Sequence, residues 1–205
     1  MIRYPNGKVY NAVPKQAQPH QKNKDVSFSN RGQTLEDEIN ETNNYYLGHH
    51  IANIHKKPVP VQIVKVEYPA RSAAVIREAY FRTPSTTDYN GVWEGHYIDF
   101  EAKETQSTTS FPLKNIHAHQ VEHMRHVIKQ RGIAFFIIRF SSLNRYFVVS
   151  FQLIDKAWHH MENGGRKSVT LETFEKEAIE IQIGYQPRLD YLQAVQQFIG
   201  KNSDK

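Results

Sequence analysis

The order of apolar and polar positions predicts alternating helices and strands after about 32 residues of irregular sequence. A helix should begin at Thr34, where Thr34 and Asp37 match a capping box, and end near Gly48. The apolar run IAFFIIRF at 133–140 is typical of a buried strand. A second strand at 145–151 should pair with it across a short turn.

Further segments continue this alternation. Strands are predicted at 51–55, 61–68 and 179–183, and helices at 115–130, 152–162, 171–178 and 188–199. The segment SAAVIREAYF at 72–81 suits either a strand or a helix by composition. The pattern therefore predicts an α/β fold in which a mixed β-sheet is flanked by helices. This domain should span residues 33–200, with a short tail at 201–205.

Two basic regions stand apart from this core. Residues 1–32 hold six Lys or Arg, one acid and three prolines, which predicts a flexible basic arm. Such an arm could lie along phosphates, or it could be a plain disordered terminus. Residues 56–82 hold six Lys or Arg among Val, Ile and Tyr, and Pro58 and Pro60 disfavour a central place in a sheet. We expect this region to be a protruding β-rich stalk with a basic surface.

Composition narrows the functional classes. The 205 residues suffice for one large domain, or one domain with an arm. The absence of cysteine excludes disulfides, thiol nucleophiles and cysteine-ligated metals. A net charge of +5 favours a polyanionic partner such as nucleic acid, although an ordinary basic protein remains an alternative. No signal-peptide or membrane-spanning pattern is seen, so a cytoplasmic location and no membrane partner are expected.

The segment TTDYNGVWEGHYIDFEAKET at 86–105 holds the candidate chemistry. Period-two alternation divides its second strand between two faces, with Ile98, Phe100 and Ala102 on one and Asp99, Glu101 and Lys103 on the other. Turn residues at 90–95 should return the chain so that Asp88 lies beside Glu101. Two close carboxylates repel each other, and Mg²⁺ would resolve that conflict. Lys103 beside the metal could orient the attacking water or neutralise the charge that develops on phosphorus. The alternative is the solvated face of an edge strand, joined by an ion pair.

Asp88 followed by Glu101-Ala102-Lys103 resembles the PD-(D/E)xK nuclease motif, with Thr87 where that motif has Pro. Longer segments are similar to the RecU family of Holliday junction resolvases of low-GC Gram-positive bacteria. They are MIRYPNGK, SNRGQTLEDEINETNNYY, IHKKPVPVQIV, RSAAVIREAYF, STTDYNG, YIDFEAKET, TSFPLKNIHAHQ and GYQPRLDYL. These segments span nearly the whole chain, so the resemblance is one of family and not of a short motif.

The resemblance implies a restriction-endonuclease-like fold and a homodimer that cuts four-way DNA junctions during homologous recombination and DNA repair. It implies Mg²⁺ as cofactor, with Mn²⁺ as a possible substitute and one or two ions per subunit. The implied metal ligands are Thr86, Asp88, Glu101 and Gln120, and Lys103 is the implied stabiliser of the transition state. The strand-exchange recombinase and the branch-migration machinery are further implied partners. The alternatives are a non-catalytic junction-binding protein that regulates the recombinase and a sequence-specific restriction enzyme.

Other polar residues have two interpretations each. Gln120 lies on an otherwise apolar helical stripe, so its amide needs a partner, either in the core or at the metal site. Glu36 could support the metal site or only favour the helix dipole, and Asp99 could support the metal ligands from behind. The helical histidines are expected to face solvent rather than bind zinc; they are His117, His119, His123 and His126. The candidate DNA contacts are Arg31, Lys56, Lys57, Lys65, Arg71, Arg77 and Arg82.

Overall fold

The computed structural model describes residues 34–70, 73–82 and 86–203. The helices of this part are α1 (Leu35–Gly48), α2 (Ala118–Lys129), α3 (Phe151–Glu162), α4 (Leu171–Glu177) and α5 (Tyr191–Ser203), with 3₁₀ turns at Leu113–Asn115 and Ser141–Leu143. Its strands are β1 (Asn53–Lys56), β2 (Val61–Ala70), β3 (Ala73–Phe81), β4 (Tyr89–Trp93), β5 (His96–Thr105), β6 (Ser110–Pro112), β7 (Ile133–Phe140), β8 (Arg145–Ser150), β9 (Ser168–Thr170) and β10 (Ile179–Ile181). The predicted arm at 1–32, with Arg31, lies outside the described residues, as does Arg71. No helix in the described ranges combines the length and apolar character that a membrane crossing requires.

Six strands form the main sheet in the order β1-β4-β5-β7-β8-β10. β5 and β7 are parallel, whereas the other neighbouring pairs are antiparallel. A parallel pair needs a long crossover connection, and the chain between β5 and β7 supplies one that contains α2. The sheet is therefore mixed and flanked by helices, which confirms the predicted α/β class and agrees with a restriction-endonuclease-like fold.

Apolar residues fill both faces of this sheet. One core lies against α1 and α5, and the other lies against α2, α3 and α4. β7 contributes to both, since Phe135 and Ile137 join the first core while Phe136 and Ile138 join the second. This double burial explains the uninterrupted apolar run that predicted a buried strand.

The predicted capping box starts α1. Thr34 Oγ1 accepts a hydrogen bond from the backbone N–H of Asp37 at 3.2 Å, and the Asp37 carboxylate accepts from the N–H of Thr34 at 3.2 Å. Both interactions satisfy N–H groups that the first helical turn leaves unpaired. The cap fixes where α1 begins and so fixes the position of Glu36 in its first turn.

The stalk contains the antiparallel hairpin β2–β3. These strands pair with each other in a two-stranded sheet of their own, and their residues are almost entirely exposed. The segment 72–81, for which strand and helix were both open, is a strand from Ala73 onwards. The N–H of Arg82 donates to the carbonyl oxygen of Pro60 at 2.9 Å, which closes the base of the hairpin.

Two local features differ from the sequence prediction. The hairpin turn lies at Glu94 and Gly95, which both have positive φ, whereas Gly91 lies inside β4. A Cβ at Gly91 would overlap the carbonyl oxygen of Asn53 in β1, so a glycine is required by close strand approach and not by a turn. The two-stranded sheet of β6 and β9 was not predicted, because each strand has only three residues.

Candidate active site

The charged face of β5 is buried in the middle of the molecule. β4 and β7 flank the strand on either side, and α2 packs on this face. The side chains of Asp99 and Glu101 are consequently only 0% and 1% exposed. The alternative interpretation, a solvated face on an edge strand, is therefore wrong.

The three candidate catalytic residues lie together. The backbone N–H of Asp88 donates to Oε2 of Glu101 at 3.0 Å, because the antiparallel register of β4 and β5 brings Asp88 opposite Glu101. The Lys103 ammonium lies 2.6 Å from Oε1 of Glu101, and 19% of its side chain is exposed. Two acids and one base thus share one end of the hairpin, as the sequence predicted.

The electrostatic state of Glu101 reflects this crowding. Burial, reinforced by the neighbouring Asp88 carboxylate, raises the pKa of Glu101 to about 7, while Lys103 opposes both effects. Near neutral pH, without a bound metal ion, the Glu101 carboxyl is close to half protonated. A cation between the two acids would favour the ionised form.

Gln120 lies at the start of α2 and is 4% exposed. Its side-chain N–H donates to Oε1 of Glu101 at 2.5 Å, and its side-chain oxygen accepts from the backbone N–H of His117 at 3.0 Å. The predicted buried amide therefore finds its partner directly in the candidate acid Glu101. The same side chain also caps the helix that covers β5.

The N-terminal turn of α1 borders the site. One cavity of about 250 Å³ lies beside Asp88 and is lined partly by Glu36, Lys56 and Thr86. A second cavity of about 380 Å³ lies beside Lys103 and is also lined by Glu36. Glu36 forms an ion pair with Lys56 at this border. Glu36 and Thr86 are thus close to the candidate acids and can be reached from solvent.

The donor chemistry of these residues suits Mg²⁺. The described residues contain no group of three or more His, Asp or Glu suited to a metal ion. The candidate set has instead two carboxylates, Asp88 and Glu101, with the Thr86 and Gln120 side chains close by. Mg²⁺ sites at phosphate esters commonly use one or two carboxylates and leave the remaining positions to water and phosphate.

A cluster around Asp99 was not predicted. Its carboxylate accepts hydrogen bonds from Lys57 Nζ and from the Tyr97 hydroxyl, both at 2.8 Å, and from the Thr87 hydroxyl. His123 Nε2 lies 3.2 Å from the same carboxylate, so the expectation that this histidine faces solvent is wrong. Period-two alternation placed Asp99 on the correct face, but no local pattern links it to Lys57 or His123.

The other predicted DNA contacts lie on exposed surface where the structure describes them. Lys65 and Arg77 flank Glu67 at 3.4 and 2.8 Å, and the Arg82 guanidinium donates to Gln62. Their role in DNA binding stays a prediction. Lys57 differs from them, since its ammonium is engaged inside the protein.

Comparison with known proteins shows which family this chain is similar to. A family model described as RecU, recombination protein U, matches residues 30–197. The chain belongs to the RecU family. A Holliday junction resolvase RecU of Bacillus cereus (strain B4264) is 55% identical over 196 residues, which cover 95% of this chain and 96% of that protein. The RecU protein of Bacillus thuringiensis (strain Al Hakam), with the same name, is 55% identical over 195 residues, with coverage of 95% and 96%. That of Bacillus cytotoxicus is 55% identical over 192 residues, with coverage of 93% and 94%.

Proposed function

We propose that this RecU-family protein is a Mg²⁺-dependent endonuclease that resolves four-way DNA junctions by paired symmetric nicks, in homologous recombination and DNA repair. The observation that carries the proposal is the contact of the half-buried Asp88 with the buried Glu101, together with the Lys103 ammonium at 2.6 Å from Glu101. The RecU membership and the names of the relatives supply the substrate class, four-way junctions.

In this proposal Thr86, Asp88 and Glu101 would hold the cation directly, and Gln120, whose amide oxygen accepts from His117, would help to hold it through Glu101. Bound Mg²⁺ would supply positive charge at the scissile phosphate and make nearby water more acidic. Gln120 orients Glu101 through its amide N–H, which keeps one carboxylate oxygen in a fixed direction. Glu36 lies close enough to the cavity beside Asp88 to assist.

Lys103 acts on the phosphate itself. Its ammonium is fixed by Glu101 and remains partly exposed, so it can donate to a phosphoryl oxygen while the negative charge there increases. Water attacks phosphorus in line with the departing 3′ oxygen, so that a new P–O bond forms while the bond from phosphorus to the 3′ oxygen breaks. The water gives up one proton to solvent, and the 3′ oxygen takes one up as it leaves. The products are a 5′-phosphate and a 3′-hydroxyl.

A four-way junction has approximate two-fold symmetry, and its resolution requires two nicks on opposing strands. A homodimer with one site per subunit matches that symmetry. The basic side chains of the stalk, and of the arm if it orders on DNA, would contact the phosphate backbone of the junction.

The test is cleavage of a labelled immobile four-way junction and of matched linear duplex, with and without Mg²⁺. Asp88→Asn removes one acid and keeps the side-chain shape. Asp155→Asn is the matched control, because Asp155 pairs with Arg125 on α2 and takes no part in the candidate site. We expect paired nicks on the junction alone, only with Mg²⁺, in the wild type and in Asp155→Asn but not in Asp88→Asn.

Other outcomes would contradict the proposal in different ways. Tight junction binding without cleavage under Mg²⁺ or Mn²⁺ would indicate a junction-binding regulator of the recombinase. Cleavage of linear duplex at fixed sequences would indicate a restriction enzyme.

A further inference from the structure

The residues just before and just after the stalk both bind the buried carboxylate of Asp99. Lys57 directly follows β1 and begins the path to the stalk, while Thr87 lies just before β4 and ends the path back. The side chains of both residues bind Asp99, which is 0% exposed. Lys57 precedes Asp99 by 42 positions in the sequence, and Thr87 precedes it by 12. Both side chains are thereby joined to the middle of β5.

The three side chains form a closed triangle. Lys57 Nζ donates to Asp99 at 2.8 Å and to Thr87 Oγ1 at 2.9 Å, and the Thr87 hydroxyl donates to the other oxygen of Asp99. The Lys57 side chain is only 19% exposed. A buried carboxylate that loses its cationic partner is strongly destabilised, so Lys57 should stay paired with Asp99.

This triangle is directly connected to the backbone of the candidate metal residue. The N–H of Lys57 donates to the carbonyl oxygen of Asp88 at 2.7 Å, and the N–H of Asp88 donates to Glu101 at 3.0 Å. Both the backbone N–H and the backbone carbonyl of Asp88 are therefore hydrogen-bonded. Thr87 is its immediate neighbour in the chain. A shift of Lys57 or Thr87 would move Asp88 away from Glu101.

We propose that Asp99 is a positioning residue, which holds Lys57 and Thr87 so that Asp88 lies beside Glu101 at the metal site. Lys57 then serves as an internal counter-ion of Asp99 and is not a DNA contact. The inference rests on the proposed function, since it concerns the metal site through which that function would operate. Groups that support metal ligands from behind commonly change metal affinity or activity by about 10- to 100-fold when they are removed.

The central experiment measures Mn²⁺ binding to the protein without DNA, by electron paramagnetic resonance of the free ion. Asp99→Asn is compared with Thr87→Val, which removes only one hydroxyl of the triangle. Tyr97→Phe is the matched control, because it removes a different hydrogen bond to the same carboxylate and leaves the triangle intact. Melting temperatures are recorded for all variants, and junction cleavage is followed over a range of Mg²⁺ concentrations.

We expect Asp99→Asn and Thr87→Val to weaken Mn²⁺ binding by about 10-fold or more and to raise the Mg²⁺ concentration for half-maximal cleavage similarly. Tyr97→Phe should stay within about two-fold of the wild type. The double variant Asp99→Asn/Thr87→Val should bind Mn²⁺ about as weakly as Asp99→Asn alone, because both changes break one connection. The affinity of Asp99→Asn and of Thr87→Val for the junction in EDTA should equal that of the wild type, because neither substitution removes a candidate DNA contact.

Several results would overturn the inference. Folded Asp99→Asn and Thr87→Val proteins with wild-type Mn²⁺ affinity would do so, even if they melted at lower temperature. An equally large loss of Mn²⁺ affinity in Tyr97→Phe would show that any weakening of the structure around Asp99 reduces metal binding. If Asp99→Asn fails to fold, Thr87→Val alone decides the question.

The measurement also separates this inference from the proposed function. If the wild-type protein binds Mn²⁺ through Asp88 but leaves junctions uncut, the proposed nuclease activity is refuted. The Mn²⁺ affinities of the variants still test the positioning role in that case. Mn²⁺ binding that is unaffected by Asp88→Asn would refute the proposed metal site and the positioning role with it.

Discussion

Gln120 joins the start of α2 to the middle of β5 through Glu101. Its amide N–H donates to Oε1 of Glu101 at 2.5 Å, and its amide oxygen caps the helix at the N–H of His117 at 3.0 Å. One side chain thus stabilises a helix end and fixes the direction of a candidate catalytic acid.

Replacing Gln120 by Ala should therefore affect both stability and the metal site. Removal of a buried amide with two hydrogen bonds should lower the free energy of unfolding by about 1–3 kcal/mol. The Mg²⁺ concentration needed for half-maximal cleavage should rise, because Glu101 is no longer oriented. Gln130→Ala, at an exposed glutamine beyond the other end of α2, should change stability by less than about 0.5 kcal/mol. Equal effects of the two substitutions, by urea unfolding and by Mg²⁺ titration, would contradict this account.

The pKa of Glu101 predicts a pH-dependent stability in the absence of metal. The folded-state pKa of about 7 lies above the ordinary value of 4.5, so the folded protein retains a proton that the unfolded chain releases between these values. The free energy of unfolding should then fall as the pH rises from about 5 to 8, by at most about 3 kcal/mol from this group. Glu101→Gln should remove this part of the pH dependence. Urea unfolding in EDTA of both proteins at several pH values is the measurement, and parallel curves would refute the assignment.

Lys103→Ala should abolish most cleavage and preserve binding. The ammonium is the candidate group that stabilises negative charge on the phosphate, and removal of such a group commonly costs about 10²–10³ in rate. Junction affinity in EDTA should stay within a few-fold of wild type. Lys176→Ala, at an exposed lysine paired with Glu172 on α4, is the control and should cut normally. Single-turnover cleavage at saturating protein gives the comparison, and an undiminished rate for Lys103→Ala would remove Lys103 from the mechanism.

The exposed cations of the stalk should set junction affinity and its salt dependence. The triple variant Lys65→Ala/Arg77→Ala/Arg82→Ala should bind junctions more weakly. Its plot of log affinity against log salt should be shallower, by about 0.9 for each phosphate of duplex DNA that the protein no longer neutralises. A control triple variant with lysines elsewhere on the surface, Lys129→Ala/Lys156→Ala/Lys176→Ala, has the same change in net charge. Identical salt slopes for the two triple variants would show that only net charge matters.

Gly91→Ala should destabilise the edge of the main sheet. A Cβ there would overlap the Asn53 carbonyl and the Ile54 backbone, so β1 has to move away from β4. Gly48→Ala is the matched control, since a Cβ at that position has no heavy atom within 4 Å. The melting temperature should fall by several degrees for Gly91→Ala, as about 1 kcal/mol corresponds to a few degrees in a domain of this size, and stay unchanged for Gly48→Ala. Equal melting temperatures would show that β1 adjusts without cost.

Local patterns predicted most of the secondary structure. The capping box at Thr34 and the apolar run of β7 were read correctly, because capping and strand alternation depend on neighbouring residues. The sheet of β6 and β9 was missed, since strands of three residues form only when tertiary contacts bring them together. The role of Gly91 could not be predicted from local sequence either, because it depends on how closely β1 approaches β4.

The sequence by itself determined which residues could share the candidate active site. The fixed two-residue period of a strand places Asp99, Glu101 and Lys103 on one face whatever surrounds them, and a tight hairpin brings Asp88 beside them. Only the tertiary structure decided that this face is buried under α2, that Gln120 binds Glu101 directly, and that Lys57 and Thr87 meet at Asp99. These contacts join residues far apart in the chain, and their partners are selected by the packing of helix, sheet and stalk rather than by any local periodicity.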